Sequence, residues 1–260
     1  MICFLHNPKT AGGSLINLIR DNYDRMEIYS IHSNVLSDIK VELEKLTEER
    51  KKILKLVYGH IEFGVHDFFP GQQVRYFMFL RDPVKRIISH YNFAKSRPDH
   101  YLHDIIHKNN MSLEDYVSSG IGLELNNGQV RLITAQFDPK KIPAIAEYGT
   151  NDTHLLDEAV ANIEKYFDFI GIQEHFDESI SYLSNMYGWK KKKELKINLG
   201  DYSNISVSPK EIAVIEKYNI LDIQLYQYGI AHFSKTITQN PVPPPPDFSF
   251  MKMLSFFSKK

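Results

Sequence analysis

The sequence predicts an α/β protein in which a mostly parallel central sheet is flanked by helices. Two observations support this fold class. Short β-prone runs alternate with segments whose apolar residues recur at helical spacing, which is typical of parallel sheets covered on both faces. The chain has 260 residues, of which 43% are hydrophobic and 24% charged, so it can bury a sizeable core without cross-links. This length fits one domain followed by a tail.

The N-terminal half supplies most of the predicted strands. A short buried strand at residues 2–6 is followed by a turn with two glycines at residues 7–13. Ser14 then opens a helix, because the apolar residues at 15, 18 and 19 share one face. The remaining predictions for this half are a strand at 27–31, a charged surface helix at 35–56 and a strand at 74–80. Pro83 suits the first turn of the helix that follows the last of these strands.

The C-terminal half is predicted to be mainly helical around one further strand. Apolar residues at helical spacing predict helices over residues 112–119, 127–135, 153–166, 175–187 and 209–228, and a β-prone run predicts a strand at 169–172. We therefore expect one domain over residues 1–238, followed by a proline-rich spacer and a short apolar tail at 239–260. Docking of this tail on its own domain, or disorder, is expected more than contact with a membrane surface or a partner.

Charge and cysteine content exclude several classes of protein. The 31 basic and 32 acidic residues give a formal net charge of −1, so a protein that coats nucleic acid is not expected. The single cysteine, Cys3, lies in an apolar run and is expected to be a buried core thiol, which suits a reducing compartment. The sequence shows no membrane-spanning stretch and no signal-peptide pattern. We expect a soluble cytoplasmic chain, and the sequence does not indicate its oligomeric state.

The turn after the first strand has the features of an anion site. Its two glycines allow a ligand to approach the backbone closely, and free N–H groups at the helix start favour negative charge. Lys9 adds a positive charge, while Thr10 and Ser14 add hydroxyl donors. The lysine precedes the glycines here, whereas the Walker A loop of ATP- and GTP-binding proteins has it after them. The alternative is a tight strand–helix turn with glycines for packing and a solvated lysine.

A second candidate anion site follows the predicted strand at residues 74–80. Arg81 lies at the carboxyl end of this strand, where open α/β sheets bind their ligands. Ser89 lies further along the following helix, on the side away from the apolar stripe. The two side chains could close on one phosphate, and the pair of sites suggests a nucleotide with phosphates at separate positions. Alternatively, Arg81 pairs with Asp82 and Ser89 faces solvent.

These two stretches together resemble the carbohydrate sulfotransferase family. Residues 6–15 resemble its 5′-phosphosulfate loop, H-x-P-K-x-[AG]-[GS]-[ST]-S, and residues 79–91 resemble its 3′-phosphate motif, R-[DE]-P-x-x-R-x-x-S-x-[YF]. Residues 169–176 and 219–226 resemble the later half of the family, and residues 126–131 are similar to a family helix near the donor. The resemblance implies the P-loop NTPase-like sulfotransferase fold.

The resemblance also implies an activity and a set of site residues. The implied reaction transfers a sulfuryl group from 3′-phosphoadenosine 5′-phosphosulfate (PAPS) to a hydroxyl of a carbohydrate or glycoconjugate acceptor, without a metal. The residues assigned to the donor are Lys9, Thr10, Ala11, Gly12, Gly13, Ser14, Arg81 and Ser89. Lys9 is also expected to stabilise the bridging oxygen as negative charge builds there. A base must accept the hydroxyl proton, and a neutral histidine suits this role near neutral pH.

The most similar part of the family is the branch that contains heparan sulfate 2-O-sulfotransferase and its short bacterial relatives. This branch has a His-Gly-His element between the two phosphate motifs, and its second histidine acts as the base. The matching element here is residues 58–60, where tyrosine stands in place of the first histidine, so the resemblance assigns the base to His60. Glu62 and His66 are fallback bases. In a strand, Glu62 would lie on the same face as His60.

Two other groups of residues receive simpler interpretations. His100, His103 and His107 have a spacing that could bind zinc, but the surrounding polar residues favour an exposed segment on the acceptor side. The lysine run at residues 190–193 is expected to be a solvated surface rather than an acceptor contact. Two other functions stay open for the whole chain: a catalytically inactive nucleotide-binding module that docks partners through its proline-rich tail, and a P-loop-type kinase.

Overall fold

The computed structural model describes residues 1–138, 146–190 and 207–239. Its strands are β1 Ile2–Leu5, β2 Ile28–Ser30, β3 Leu56–Gly59, β4 Arg75–Leu80 and β5 Phe167–Ile172. Within the described residues these form one sheet in the order β2-β3-β1-β4-β5, and every pairing is parallel. The predicted fold class, a parallel sheet flanked by helices, is therefore confirmed.

The helices that flank this sheet match most of the predicted positions. They are α1 Gly12–Asn22, α2 Leu36–Glu44, α3 Glu48–Ile53, α4 Pro83–Ser96, α5 His103–Lys108, α6 Leu113–Ser118, α7 Gly128–Ile133, α8 Thr153–Tyr166, α9 Phe176–Tyr187, α10 Pro209–Tyr218 and α11 Ile220–Gln239. Pro83 begins α4, as predicted, and the Asp82 carboxylate caps this helix by accepting a hydrogen bond from the Lys85 N–H.

The prediction of a single helix over residues 35–56 is wrong in two respects. The segment contains two helices, because Thr47 starts a new one by accepting a hydrogen bond from the Arg50 N–H. Its last residue, Leu56, begins β3, which the sequence did not predict as a strand. β3 is buried along its whole length between β1 and β2, and four buried residues show neither the alternation of a surface strand nor a helical period.

The predicted helix over residues 209–228 is also divided. The break between α10 and α11 lies at Asn219, whose fully buried side chain donates hydrogen bonds to the carbonyls of Leu125 and Ile215. Asn219 has φ −130° and ψ 31°, which is outside helical geometry. The bond to Leu125 connects distant parts of the chain, so the local hydrophobic pattern could not reveal the interruption.

The register of the sheet brings the candidate site segments together. Leu5 of β1 lies beside Gly59 of β3, and Phe4 lies beside Phe77 of β4 with the two rings stacked 4.8 Å apart. Cys3 is fully buried in the same core, as predicted. The carboxyl ends of β1, β3 and β4 therefore meet at one edge of the sheet, the edge at which open α/β sheets bind ligands.

Two predictions fall outside the described residues. The proline-rich spacer and apolar tail lie beyond α11, and residues 191–193 of the lysine run also lie outside. Among the residues that the structure does describe, no helix is both long and apolar enough to cross a membrane. Across the same ranges, no three His, Cys, Asp or Glu side chains are grouped so that they could hold a metal ion.

Candidate active site

A cavity of about 1250 Å³ opens at the edge of the sheet where β1, β3 and β4 end. The predicted site residues that line it are Lys9, Ala11, Gly12, Gly13, Ser14, His60, Arg81 and Ser89. These residues come from separate parts of the chain: the loop after β1 with the first turn of α1, the residue after β3, the residue after β4, and α4. The two predicted anion sites and the predicted base thus share one cavity.

The loop between β1 and α1 has an unusual backbone. Lys9 and Ala11 both adopt the left-handed region, with φ of 69° and 62°, which costs about 1–3 kcal/mol for each such residue. Ala11 precedes the first turn of α1 and has no side-chain oxygen with which to cap it. The Thr10 hydroxyl donates a hydrogen bond to the Asn7 carbonyl at 2.7 Å. Thr10 is buried and its side chain stabilises the loop, whereas the prediction placed this hydroxyl on the ligand.

Gly12 is required because the His6 ring occupies the space beside it. A Cβ atom at Gly12 would lie 1.7 Å from His6 Nε2, whereas a Cβ at Gly13 meets no heavy atom of the described residues within 4 Å. We expect Gly12→Ala to lower the free energy of unfolding by about 1–3 kcal/mol, the usual cost of overpacking. Gly13→Ala is the matched control and should leave stability nearly unchanged. Urea unfolding of both variants measures the difference, and equal losses would contradict the assigned contact.

Lys9 belongs to a cluster of cations on the cavity wall. Its ammonium group lies 3.8 Å from the centre of the Phe93 ring, a cation–π contact that holds the side chain beside α4. Burial and the positive charges of Arg81 and Arg97 lower the pKa of Lys9 to about 8. Arg97 also lines the cavity and lies over the same Phe93 ring. Two guanidinium groups near enough to disfavour the charge of Lys9 make this wall positive, which favours an anion there.

The second motif contacts the first one directly. Arg81 Nη1 donates to the Lys9 carbonyl oxygen at 2.9 Å, which joins the end of β4 to the loop after β1. Ser89 lies in α4, on the wall of the same cavity, and its side chain is largely buried, with 4% of the residue exposed. Asp82, which the alternative interpretation paired with Arg81, caps α4. Arg81 and Ser89 therefore line the same cavity as the loop after β1.

The hydrogen bonding of His60 defines which ring nitrogen is available. Its Nδ1 atom lies 3.0 Å from the backbone carbonyl oxygen of His6. A carbonyl oxygen can only accept, so Nδ1 carries the proton and Nε2 keeps its lone pair. The ring presents an exposed surface to the cavity, but protein surrounds it on its other sides, and this desolvation together with the Lys9 charge lowers the pKa of His60. His60 is therefore neutral near pH 7, in the tautomer that a base requires.

His6 is a functional neighbour that the sequence interpretation did not identify. Its ring stacks on that of His60, with centroids 4.0 Å apart and planes 25° apart. On its other face it stacks on Phe4 at 5.2 Å. Burial, together with His60, keeps the pKa of His6 well below its ordinary value. A second histidine thus packs against His60, the predicted base, although it comes from the loop after β1 and not from residue 58. The sequence did contain a sign of this residue, because His6 is the first residue of the phosphosulfate-loop motif.

The two fallback bases lie outside the cavity. Both carboxylate oxygens of the fully buried Glu62 accept backbone hydrogen bonds, one from Leu36 at 2.8 Å and one from Phe137 at 3.0 Å. Because β3 ends at Gly59, the strand periodicity that would place Glu62 beside His60 does not apply. His66 Nδ1 lies 2.8 Å from the Tyr76 hydroxyl, and its ring packs on Tyr166. Neither residue lines the cavity.

The three histidines with zinc-like spacing are separated in the structure. His103 and His107 lie near the carbonyl oxygens of Ala94 and Lys95, at 3.3 and 2.9 Å, and their rings are in contact. His100 turns toward the cavity instead and packs edge-on against His90, another lining residue. His100 therefore has surroundings different from those of His103 and His107. It lies on a cavity wall that the sequence predicted only as an exposed segment on the acceptor side.

Comparisons with known proteins complete the description of the site. The sequence profile of the family described as Galactose-3-O-sulfotransferase matches residues 1–240. A sulfotransferase from Alicyclobacillus acidocaldarius is 10% identical, with a TM-score of 0.35, over 87% of this chain and 95% of that chain. Mouse sulfotransferase SULT7A1 complexed with PAP is 14% identical, with a TM-score of 0.34, over 88% of this chain and 86% of that chain. A search of curated proteins finds no match.

Proposed function

Because the chain belongs to the galactose-3-O-sulfotransferase family, we propose that it transfers a sulfuryl group from PAPS to a hydroxyl of a carbohydrate or glycoconjugate acceptor. One observation carries this proposal: the two anion-binding motifs and a neutral histidine with a free Nε2 meet in one cavity. PAPS supplies the sulfuryl group together with a phosphate that can leave. The residues of this chain bind and orient PAPS and accept the proton of the acceptor hydroxyl.

The cationic cluster fits the charge of this donor. The loop after β1 would hold the 5′-phosphosulfate with Lys9, Ser14 and the backbone N–H groups at the start of α1, where Gly13 leaves the backbone open. Arg81 and Ser89 would hold the 3′-phosphate from the opposite motif. Arg97, which the sequence motifs did not include, adds a third positive charge beside Lys9.

The chemical roles follow from the two side chains that face the reacting groups. His60 Nε2 accepts the proton of the acceptor hydroxyl while Nδ1 stays bonded to the His6 carbonyl, so the ring keeps its orientation throughout. Lys9 stabilises the negative charge that builds on the bridging oxygen. Sulfuryl transfer by in-line displacement resembles phosphoryl transfer, in which positioning and charge stabilisation do most of the catalysis.

A polar aromatic wall supports a carbohydrate acceptor. The Tyr101 ring is 63% exposed and stacks on the His100 ring at 4.8 Å, while its hydroxyl donates to the Glu124 carboxylate. All three residues line the cavity. An exposed aromatic face suits the apolar face of a sugar ring, and a carboxylate accepts hydrogen bonds from sugar hydroxyls. Membership of the heparan sulfate 2-O-sulfotransferase branch stays a prediction, and tyrosine at residue 58 departs from the His-Gly-His element of that branch.

The proposed function is tested by a transfer assay with sulfur-labelled PAPS across polysaccharides, glycolipids and simple alcohols. We expect label in a glycan, with stoichiometric release of 3′-phosphoadenosine 5′-phosphate (PAP). Binding of PAP without transfer to any acceptor would favour the inactive nucleotide-binding module. Consumption of ATP in place of PAPS would favour the kinase. The presence of both Lys9 and His60 in the cavity supports the enzyme.

The two shifted pKa values lead to an expected pH profile for kcat/KM. His60 must be neutral and its pKa is lowered from 6.5, so activity should rise with pH along a limb below pH 6.5. Lys9 must be protonated and its pKa is about 8, so activity should fall as the pH passes that value. In Lys9→Arg, whose guanidinium stays charged, the residual activity should lose this alkaline limb. An unchanged alkaline limb in Lys9→Arg would show that Lys9 is not the titrating group.

A further inference from the structure

One buried side chain joins the two strand ends that carry the proposed phosphate sites. Gln129 Oε1 accepts hydrogen bonds from Asn7 Nδ2 at 2.8 Å and from the Arg81 backbone N–H at 3.0 Å. Its Nε2 donates to the Arg81 carbonyl at 2.9 Å. Gln129 is fully buried and does not line the cavity, so any effect that it has on a ligand passes through Asn7 and Arg81.

Gln129 is itself held in place by α11. Its backbone N–H and that of Val130 donate to the two carboxylate oxygens of Asp222, at 3.1 and 2.9 Å. Asp222 is fully buried and also pairs with Arg86 Nη2 of α4 at 3.4 Å. Both carboxylate oxygens of Asp222 are thus engaged, and a buried group bonded in this way favours one geometry. The start of α7 therefore presents the Gln129 amide at a fixed position between the two strand ends.

We propose that Gln129 is a positioning residue that fixes the separation between the loop after β1 and the start of α4. This proposal rests on the proposed function, in which one nucleotide places a phosphate group in each of these segments. A ligand with two phosphate groups gains binding free energy from both sites only when the distance between the sites matches the distance between its phosphates. The Gln129 amide suits this role, because its oxygen accepts from both segments at once and its nitrogen returns a second bond to Arg81.

No local pattern along the chain indicates this role. Gln129 lies in the stretch that is similar to a family helix near the donor, but the phosphate motifs are distant along the chain. Only the fold shows that α7 contacts both strand ends. A purely structural glutamine would add stability without affecting how two phosphates of one ligand cooperate, so the two roles make different predictions.

The test uses Gln129→Ala and Gln129→Glu, with Gln136→Ala as the matched control. Within the described residues, the Gln136 side chain accepts a hydrogen bond from the Ala146 N–H, and none of its hydrogen bonds there reaches either segment. Calorimetry gives the affinities for PAP and for adenosine 5′-monophosphate (AMP), which lacks the 3′-phosphate. In Gln129→Ala we expect the preference for PAP over AMP to fall about tenfold. Because a small misplacement is costly, kcat/KM for PAPS should fall about 10²-fold.

Gln129→Glu should change the preference in the same direction. It keeps an acceptor for Asn7, but it places an oxygen against the Arg81 carbonyl. A lower melting temperature in the Gln129 variants with an unchanged preference for PAP in the folded protein would overturn the proposal. An equal loss of preference in Gln136→Ala would overturn it as well. If the wild-type protein shows no preference for PAP, the proposed function fails and this proposal falls with it, so the two failures are distinguishable.

Discussion

His60→Ala should lower turnover by about 10²–10⁴-fold while the affinity for PAP stays nearly unchanged. The reason is the orientation of the ring: Nδ1 is bonded to the His6 carbonyl, and Nε2 is the atom left to accept a proton from the acceptor. Loss of a base affects the chemical step and not the binding of the nucleotide. Single-turnover rates at saturating donor, with PAP affinity from calorimetry, measure the two quantities on the same protein.

His66→Ala is the matched control for this variant. His66 is also a histidine whose pKa burial lowers, but it contacts Tyr76 and does not line the cavity. We expect the folded His66→Ala protein to have the turnover of the wild type. If His60→Ala retained more than about a tenth of wild-type turnover, below the range for a general base, His60 would not be the base.

Lys9→Met should lower turnover by about 10²–10³-fold and also weaken the binding of PAPS. Methionine keeps an apolar stem on the Phe93 ring, so the loss isolates the ammonium group. Because Lys9 is proposed to contact the donor in the ground state and the leaving oxygen in the transition state, both KM and kcat should change, with the larger effect on kcat. The measurement is a full set of donor saturation curves for the variant and the wild type.

Lys165→Met is the control for removal of a lysine from an aromatic ring. Its ammonium group lies over Tyr166 at 4.8 Å, and it does not line the cavity. Both kinetic constants should match the wild type. A Lys9→Met variant that changed KM alone would show that Lys9 binds the donor without stabilising the transition state.

The sequence predicted the parts of the site that lie in short, local motifs. The strand at residues 2–6 and the strand at 74–80 each end in a recognisable ligand segment, and parallel strands bring such ends to one edge. The sequence alone therefore predicts that Lys9 and Arg81 lie in one cavity. Thr10 shows the limit of this reasoning, because only the folded loop reveals that its hydroxyl bonds the Asn7 carbonyl.

The features that the sequence missed depend on contacts between distant segments. Gln129 and Asn219 have no local pattern that marks them, because their partners lie far away along the chain. His6 and Gly12 form a pair only because the loop after β1 folds the ring against the glycine. β3 was missed for a different reason, since a strand of four buried residues has no period that could identify it.

The most direct test of the central claim is the binding of PAP and AMP to the wild-type protein, measured by calorimetry under identical conditions. The 3′-phosphate is the only group that differs, and Arg81 and Ser89 are the residues proposed to bind it. We expect PAP to bind at least about tenfold more tightly, the contribution of one charge-assisted contact, and to raise the melting temperature more. Equal affinities and equal shifts in melting temperature for the two nucleotides would contradict it.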